Sequence, residues 1–134
     1  MQLELGQTSI YVKKITESDI LGYADLVGDY NNAHVNKEEA KKSVFGGQIA
    51  HGMLIGSYIS TIFGMQLPGS GAIYLEQQFQ FKKPVYVGDT ITAKVTLIDI
   101  LNKKKGVYKF DTTVSNQNGE KVIEGYALIK YQDN

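Results

Sequence analysis

The chain has no cysteine and no tryptophan, only two prolines and two histidines, and equal numbers of acidic and basic residues. Without cysteine there is no disulfide framework, no thiolate zinc site and no thiol nucleophile. A formal net charge of zero gives no electrostatic footprint for nucleic acid or an anionic membrane. The only run of like charge is Lys103, Lys104 and Lys105 before Gly106, the pattern of a solvated turn. No stretch reaches the roughly 18 to 20 apolar residues that span a bilayer. The nearest, "GMLIGSYISTIFGMQL", is interrupted by Gly56, Ser57, Ser60 and Gly64, and suits a buried helix of a soluble protein. The first residues carry Glu4 and no basic segment ahead of an apolar one, so no signal peptide is expected and a cytoplasmic location is.

What is present is the balance of one soluble domain: 134 residues, 43% hydrophobic and 21% charged. No repeat or linker divides residues 1–134, and both prolines stand at element boundaries. "SIYVKKI" has the character of a first strand. Thr16 followed by Asp19 suggests a capped start to a helix in which Ile20, Tyr23, Ala24 and Val27 recur at helical spacing. Gly28 suits its end. Asn36 followed by Glu39 suggests a second cap before "KEEAKKS". "AHGMLIGSYISTIFGMQL" is apolar nearly all round and predicts a fully buried helix. From Ile73 onward the chain turns to strands: "IYLEQQFQF", "KVTLIDI" and "GVYKFDTTVSN", then "NQNG" turning into "EKVIEGYALIKY". Helices followed by consecutive antiparallel strands make an α+β protein. A sheet curved around the long helix, with a second subunit closing the edge, would cover it.

Chemistry concentrates in "GDYNNAHVNKEEAKKSVFGGQIAHGML", which holds both histidines, His34 and His51. Asp29 and His34 are five residues apart, about 140° on a continuous helix. Gly28, Asn31 and Asn32 argue instead for a loop, which can turn both side chains to one point. From spacing alone the simpler account is a capping aspartate and a surface histidine. Two histidines with scattered carboxylates match no metal-ligand spacing, so no metal is expected. Gly52, at the start of the apolar helix, can bring its N–H close to a ligand. Either it stabilises an oxyanion there, or His51 caps the helix and Gly52 only packs. Gly52, Gly56, Ser60 and Gly64 form a stripe of small residues, suited to a partner helix or to a flat ligand. Lys41, Lys42, Lys82 and Lys83, taken singly, suit solvated surface positions.

Taken as one unit, Asp29, Asn31, His34, Ala40, Phe45-Gly46 and Ile49-Ala50-His51-Gly52-Met53 resemble the hydratase signature of the MaoC-like hot-dog-fold family, with (R)-specific enoyl-CoA hydratases closest. A second block, "YLEQQFQFKKPVYVGDTI", is similar to the family's later strand motif at Phe81, Pro84, Val87, Gly88 and Asp89. The resemblance covers nearly the whole chain, and its departure is Asn32 where the family usually has proline. It implies a single hot-dog domain: an antiparallel sheet wrapped around a long central helix, forming a homodimer or a higher assembly. It implies reversible hydration of a trans-2-enoyl-CoA to the (R)-3-hydroxyacyl-CoA, with no cofactor beyond the CoA of the substrate. Asp29 would be the general base and His34 the proton carrier. The Gly52 N–H would meet the thioester oxygen, Asn31 would hold the loop, and Ser60 would line the pocket. Phe63, on the same helix face as Ser60, is expected to shorten the acyl tunnel and favour crotonyl-CoA. Other hot-dog roles are an acyl-CoA thioesterase and a non-catalytic acyl-CoA-binding subunit; the Asp29/Asn31/His34 trio argues against both.

Overall fold

The computed structural model describes residues 2–132. Strand β1 (Thr8–Lys14) leads to helices α1 (Glu17–Val27), α2 (Asn32–Val35), α3 (Lys37–Lys42) and α4 (Gly52–Met65). Strands β2 (Ile73–Phe81), β3 (Thr90–Asn102), β4 (Val107–Ser115) and β5 (Lys121–Lys130) follow. They form one five-stranded sheet in the order β1-β3-β4-β5-β2, with every pairing antiparallel. This is the expected α+β hot-dog arrangement, with α4 lying against β1, β3 and β4. Among the described residues no helix is long and apolar enough to cross a membrane.

Local chemistry explains the helix ends. Thr16 accepts from the Asp19 N–H at 3.1 Å while Asp19 accepts from the Thr16 N–H at 2.9 Å, a reciprocal capping box. Gly28 closes α1 at φ +81°, a left-handed conformation that glycine adopts without a Cβ penalty. That turn sends Asp29 out of the helix. Asn36 caps α3 by accepting from the Glu39 N–H at 3.0 Å.

The core lies between α4 and the sheet. Ile91, Ala93, Val95 and Leu97 are buried at every second position of β3, as a half-covered strand requires. Phe110 and Val114 of β4 and Ile123, Ala127 and Ile129 of β5 continue the layer beneath Ile55, Ile59, Ile62 and Phe63 of α4. Helix α4 is not buried all round as its composition predicts. Met53 is 57% exposed and Met65 79% exposed, because the sheet covers one side of the helix only. Edge strand β2 is similarly open, with Ile73, Leu75 and Phe81 exposed.

One glycine fixes how β2 sits. Gly125 of β5 faces Phe79 in the β2–β5 ladder, and a Cβ there would overlap the backbone carbonyl of Gln78. Backbone cannot rotate away as a side chain can. Gly125→Ala is expected to cost about 1–3 kcal/mol, the usual penalty for overpacking, and to loosen β2 first. Urea unfolding combined with amide exchange in β2 checks this; unchanged stability would show that the ladder tolerates the methyl.

Candidate active site

The site begins where α1 ends. Beyond Gly28, an Asp29 carboxylate oxygen accepts the Asn31 N–H at 3.2 Å. Asn31 in turn caps α2, its side-chain oxygen accepting the Ala33 N–H at 3.1 Å. The single turn of α2 places His34 against the strand-like segment 48–50. His34 Nδ1 lies 2.9 Å from the Ile49 carbonyl. A carbonyl only accepts, so Nδ1 carries the hydrogen and Nε2 keeps its lone pair. The Gln48 amide donates to the His34 carbonyl at 2.6 Å, and the Ile49 N–H donates to the Ala33 carbonyl at 3.1 Å. The segment is itself pinned by Ala50 N–H to Val85 O at 2.8 Å. The turn, and with it His34, is therefore held by bonds to segment 48–50 rather than by the loop alone.

His51 precedes α4 as its N-cap residue but makes no side-chain capping bond. Its Nε2 lies 3.0 Å from the Asp29 carbonyl instead, and its ring stacks on His34 with centroids 3.9 Å apart at 26°. Side-chain donor atoms of Asp29, His34 and His51 all lie within 4.8 Å of one another. The Ile49 and Asp29 carbonyls already occupy His34 Nδ1 and His51 Nε2, which leaves one ring nitrogen of each histidine uncommitted. The grouping suits shared protons and a shared water.

His34 and Gly52 line one cavity of about 310 Å³, with Phe45, Ile55, Phe81 and Val85 as its apolar walls. Lys82, Lys83 and Pro84 also line it. Gly52 is the first residue of α4, so its N–H has no partner within the helix and sits at the positive end of the helix dipole. A Cβ on Gly52 would stand 2.8 Å from the Phe81 ring, and one on Gly56 2.5 Å from the Phe79 ring. The stripe of small residues is thus filled, at Gly52 and Gly56, by aromatic rings of β2. Asp29 is exposed and stands beside the cavity rather than among its lining residues.

Two expected pocket residues fall elsewhere. Ser60 is exposed and lines a second cavity of about 320 Å³ with Tyr23, Met53, Tyr74, Gln77 and Phe79. It does not meet His34; the link between the two regions is Tyr23, whose ring is 4.9 Å from His51. Phe63 lines neither cavity. It is 2% exposed and packs edge-on against Phe110 at 5.1 Å and, at 5.4 Å, against Tyr74, a lining residue of the second cavity. Three residues of helix rotate a side chain by about 60° from its neighbour, enough to pass from an open face to the core.

Spacing marked Tyr23 only as a helix-face residue and Ile49 only as part of the signature, and gave no signal for Gln48; their contacts with His51 and His34 join segments distant in sequence. Tyr74 donates to the Gln77 side-chain oxygen, and burial pushes its hydroxyl up to about 12, so it remains a donor at neutral pH. Lys82 pairs with Glu124 at 3.6 Å and Lys83 with Glu120, in keeping with surface positions.

An antiparallel sheet against one long helix is the hot-dog arrangement, here with an aspartate–histidine pair beside the helix start. The description "MaoC like domain" matches residues 5–120, and the chain belongs to that family. It is 48% identical over 124 residues to the (R)-specific enoyl-CoA hydratase of Rhodospirillum rubrum, covering 92% of this chain and 85% of that protein. It is 37% identical over 128 residues to the 3-hydroxybutyryl-CoA dehydratase of Methylorubrum extorquens, covering 96% and 80%. The solved structure of the (R)-hydratase from Aeromonas caviae involved in PHA biosynthesis superposes with a TM-score of 0.93 at 36% identity, covering 97% of this chain and 98% of that one.

Proposed function

We propose that this chain is an (R)-specific enoyl-CoA hydratase, a hydro-lyase that adds water reversibly to a trans-2-enoyl-CoA. The observation that carries the reading is the meeting of Asp29 and His34 beside a cavity that also contains the free N-terminal amide of α4. A carboxylate oxygen and a ring nitrogen within 4.8 Å can hold one water between them. In hydration, the water oxygen bonds to C3 as Asp29 takes its proton. The C2–C3 π electrons shift toward the thioester oxygen, where the Gly52 N–H meets the developing charge. The proton then returns to C2 through the Asp29–His34 pair, restoring the carbonyl. His34 is suited to the relay because Ile49 holds its Nδ1–H and leaves Nε2 free. Addition of water to an enoyl thioester needs no metal or redox step, and CoA enters with the substrate.

The substrate class follows from the relatives' names and from an apolar cavity whose lining includes Lys82 and Lys83. A second copy of the chain is the partner that fits the open side. The exposed β2 edge, with Ile73, Leu75 and Phe81, is unpaired in a single chain and exposes apolar residues, as does α4 with Met53. Pairing through that edge gives a homodimer, which light scattering on the purified chain would test; a monomer at micromolar concentration would reject it. A cytoplasmic location agrees with a cysteine-free chain.

The direct assay follows loss of the enoyl thioester absorbance of crotonyl-CoA. Hydration without release of free CoA thiol is the expected result. Thiol release without hydration would make the protein a thioesterase, and neither reaction would point to a binding subunit.

A further inference from the structure

We infer that His51 is a positioning residue for the Asp29–His34 pair, kept as the neutral Nε2–H tautomer by its contacts. The kinetic part of this inference rests on the hydratase reading; the tautomer does not. His51 is 3% exposed. Its Nε2 faces the Asp29 carbonyl at 3.0 Å, which can only accept, so the hydrogen resides on Nε2. Its Nδ1 is buried without a partner among the described residues. A hydrogen placed there would be buried and unsatisfied, a costly arrangement.

The groups facing the ring come from three elements. Tyr23 of α1 approaches at 4.9 Å, His34 of α2 stacks at 3.9 Å, and Asp29 of the intervening loop brings its carboxylate within 4.8 Å. His34 keeps a free Nε2 for a moving proton, whereas His51 has no acceptor for a second N–H among the described residues. A proton handled by the pair therefore passes through His34, and His51 keeps its single Nε2–H. One ring thus fixes two partners: its face sets the plane of His34, and its N–H holds the main chain that carries Asp29. Capping the helix is not its role, because it makes no capping bond.

Two conservative variants separate these contacts. His51→Gln keeps an amide donor toward Asp29 but removes the stacked ring; His51→Phe keeps a ring against His34 but removes the donor. Each is expected to lower kcat for crotonyl-CoA about 10- to 100-fold, with KM nearly unchanged, as small misplacements of reacting groups do. Nitrogen-15 NMR of the whole chain supplies a readout that packing alone does not dictate. With two histidines in the chain, His51→Phe leaves only the His34 signals and assigns both rings. At neutral pH the His51 pattern should be that of Nε2–H with bare Nδ1. A protonated His51 or an Nδ1–H tautomer would overturn the inference, as would wild-type kcat in both folded variants. If the unaltered chain does not hydrate crotonyl-CoA, the hydratase reading fails and the tautomer alone decides the role of His51.

Discussion

Asp29→Asn should reduce crotonyl-CoA hydration on the order of 10³-fold, within the range that positioned acid–base groups contribute, while leaving the fold intact. Asparagine preserves the shape of the side chain and an oxygen that can still accept the Asn31 N–H, the bond that Asp29 makes at 3.2 Å. What it loses is basicity. Asp29 is exposed, so no buried charge is stranded and little stability is at stake. His34→Ala should bring a loss of similar size. In the proposed mechanism the two groups act on the same water, so the double variant should be little worse than either single one. Steady-state kinetics alongside thermal unfolding checks both points. Wild-type rates in folded Asp29→Asn would remove Asp29 as the base.

Phe63→Ala should destabilise the protein by about 3–5 kcal/mol, the usual cost of truncating a buried phenylalanine. It should lower Tm by roughly 10 °C or more. The ring is 2% exposed and packs between Tyr74 and Phe110, the latter 0% exposed, so truncation leaves a void against β4. Relative turnover of crotonyl-CoA and six- to eight-carbon enoyl-CoAs in the same variant tests separately whether the ring, seated on Tyr74 of the second cavity, also limits the acyl chain. Denaturant unfolding measures the first effect and substrate competition the second. A loss below about 1 kcal/mol, with improved turnover of longer chains, would put the ring back in an acyl tunnel.

Phe63 also marks a limit of sequence reading. Helical spacing places it near Ser60, but periodicity cannot say which side of a nearly uniform apolar helix meets the sheet. Where polarity alternates sharply, as along β3 and β4, the pattern specifies both the strands and their buried faces. The Thr16/Asp19 box and the Gly28 stop were legible because a few adjacent residues complete the chemistry. Helix α2 was not, since a single turn is too short for any period to register; the segment reads as loop although Asn31 caps it. Asp29, His34 and Gly52 stood out as a motif. The reason they meet, namely the bonds from segment 48–50 and the His51 bridge to Asp29, depends on contacts that only the folded chain makes. The glycine stripe was visible too, but its occupants, Phe79 and Phe81, lie on a strand far along the sequence.

The stereochemistry of the product tests the central claim most directly. Crotonyl-CoA hydrated by the purified chain can be presented to dehydrogenases specific for each enantiomer of 3-hydroxybutyryl-CoA. A site in which Asp29 and His34 share one water on a single face of the bound enoyl group must give one enantiomer, and the proposed function makes it (R). Oxidation by the (R)-specific dehydrogenase alone is the predicted result; an (S) product, or a mixture, would contradict it.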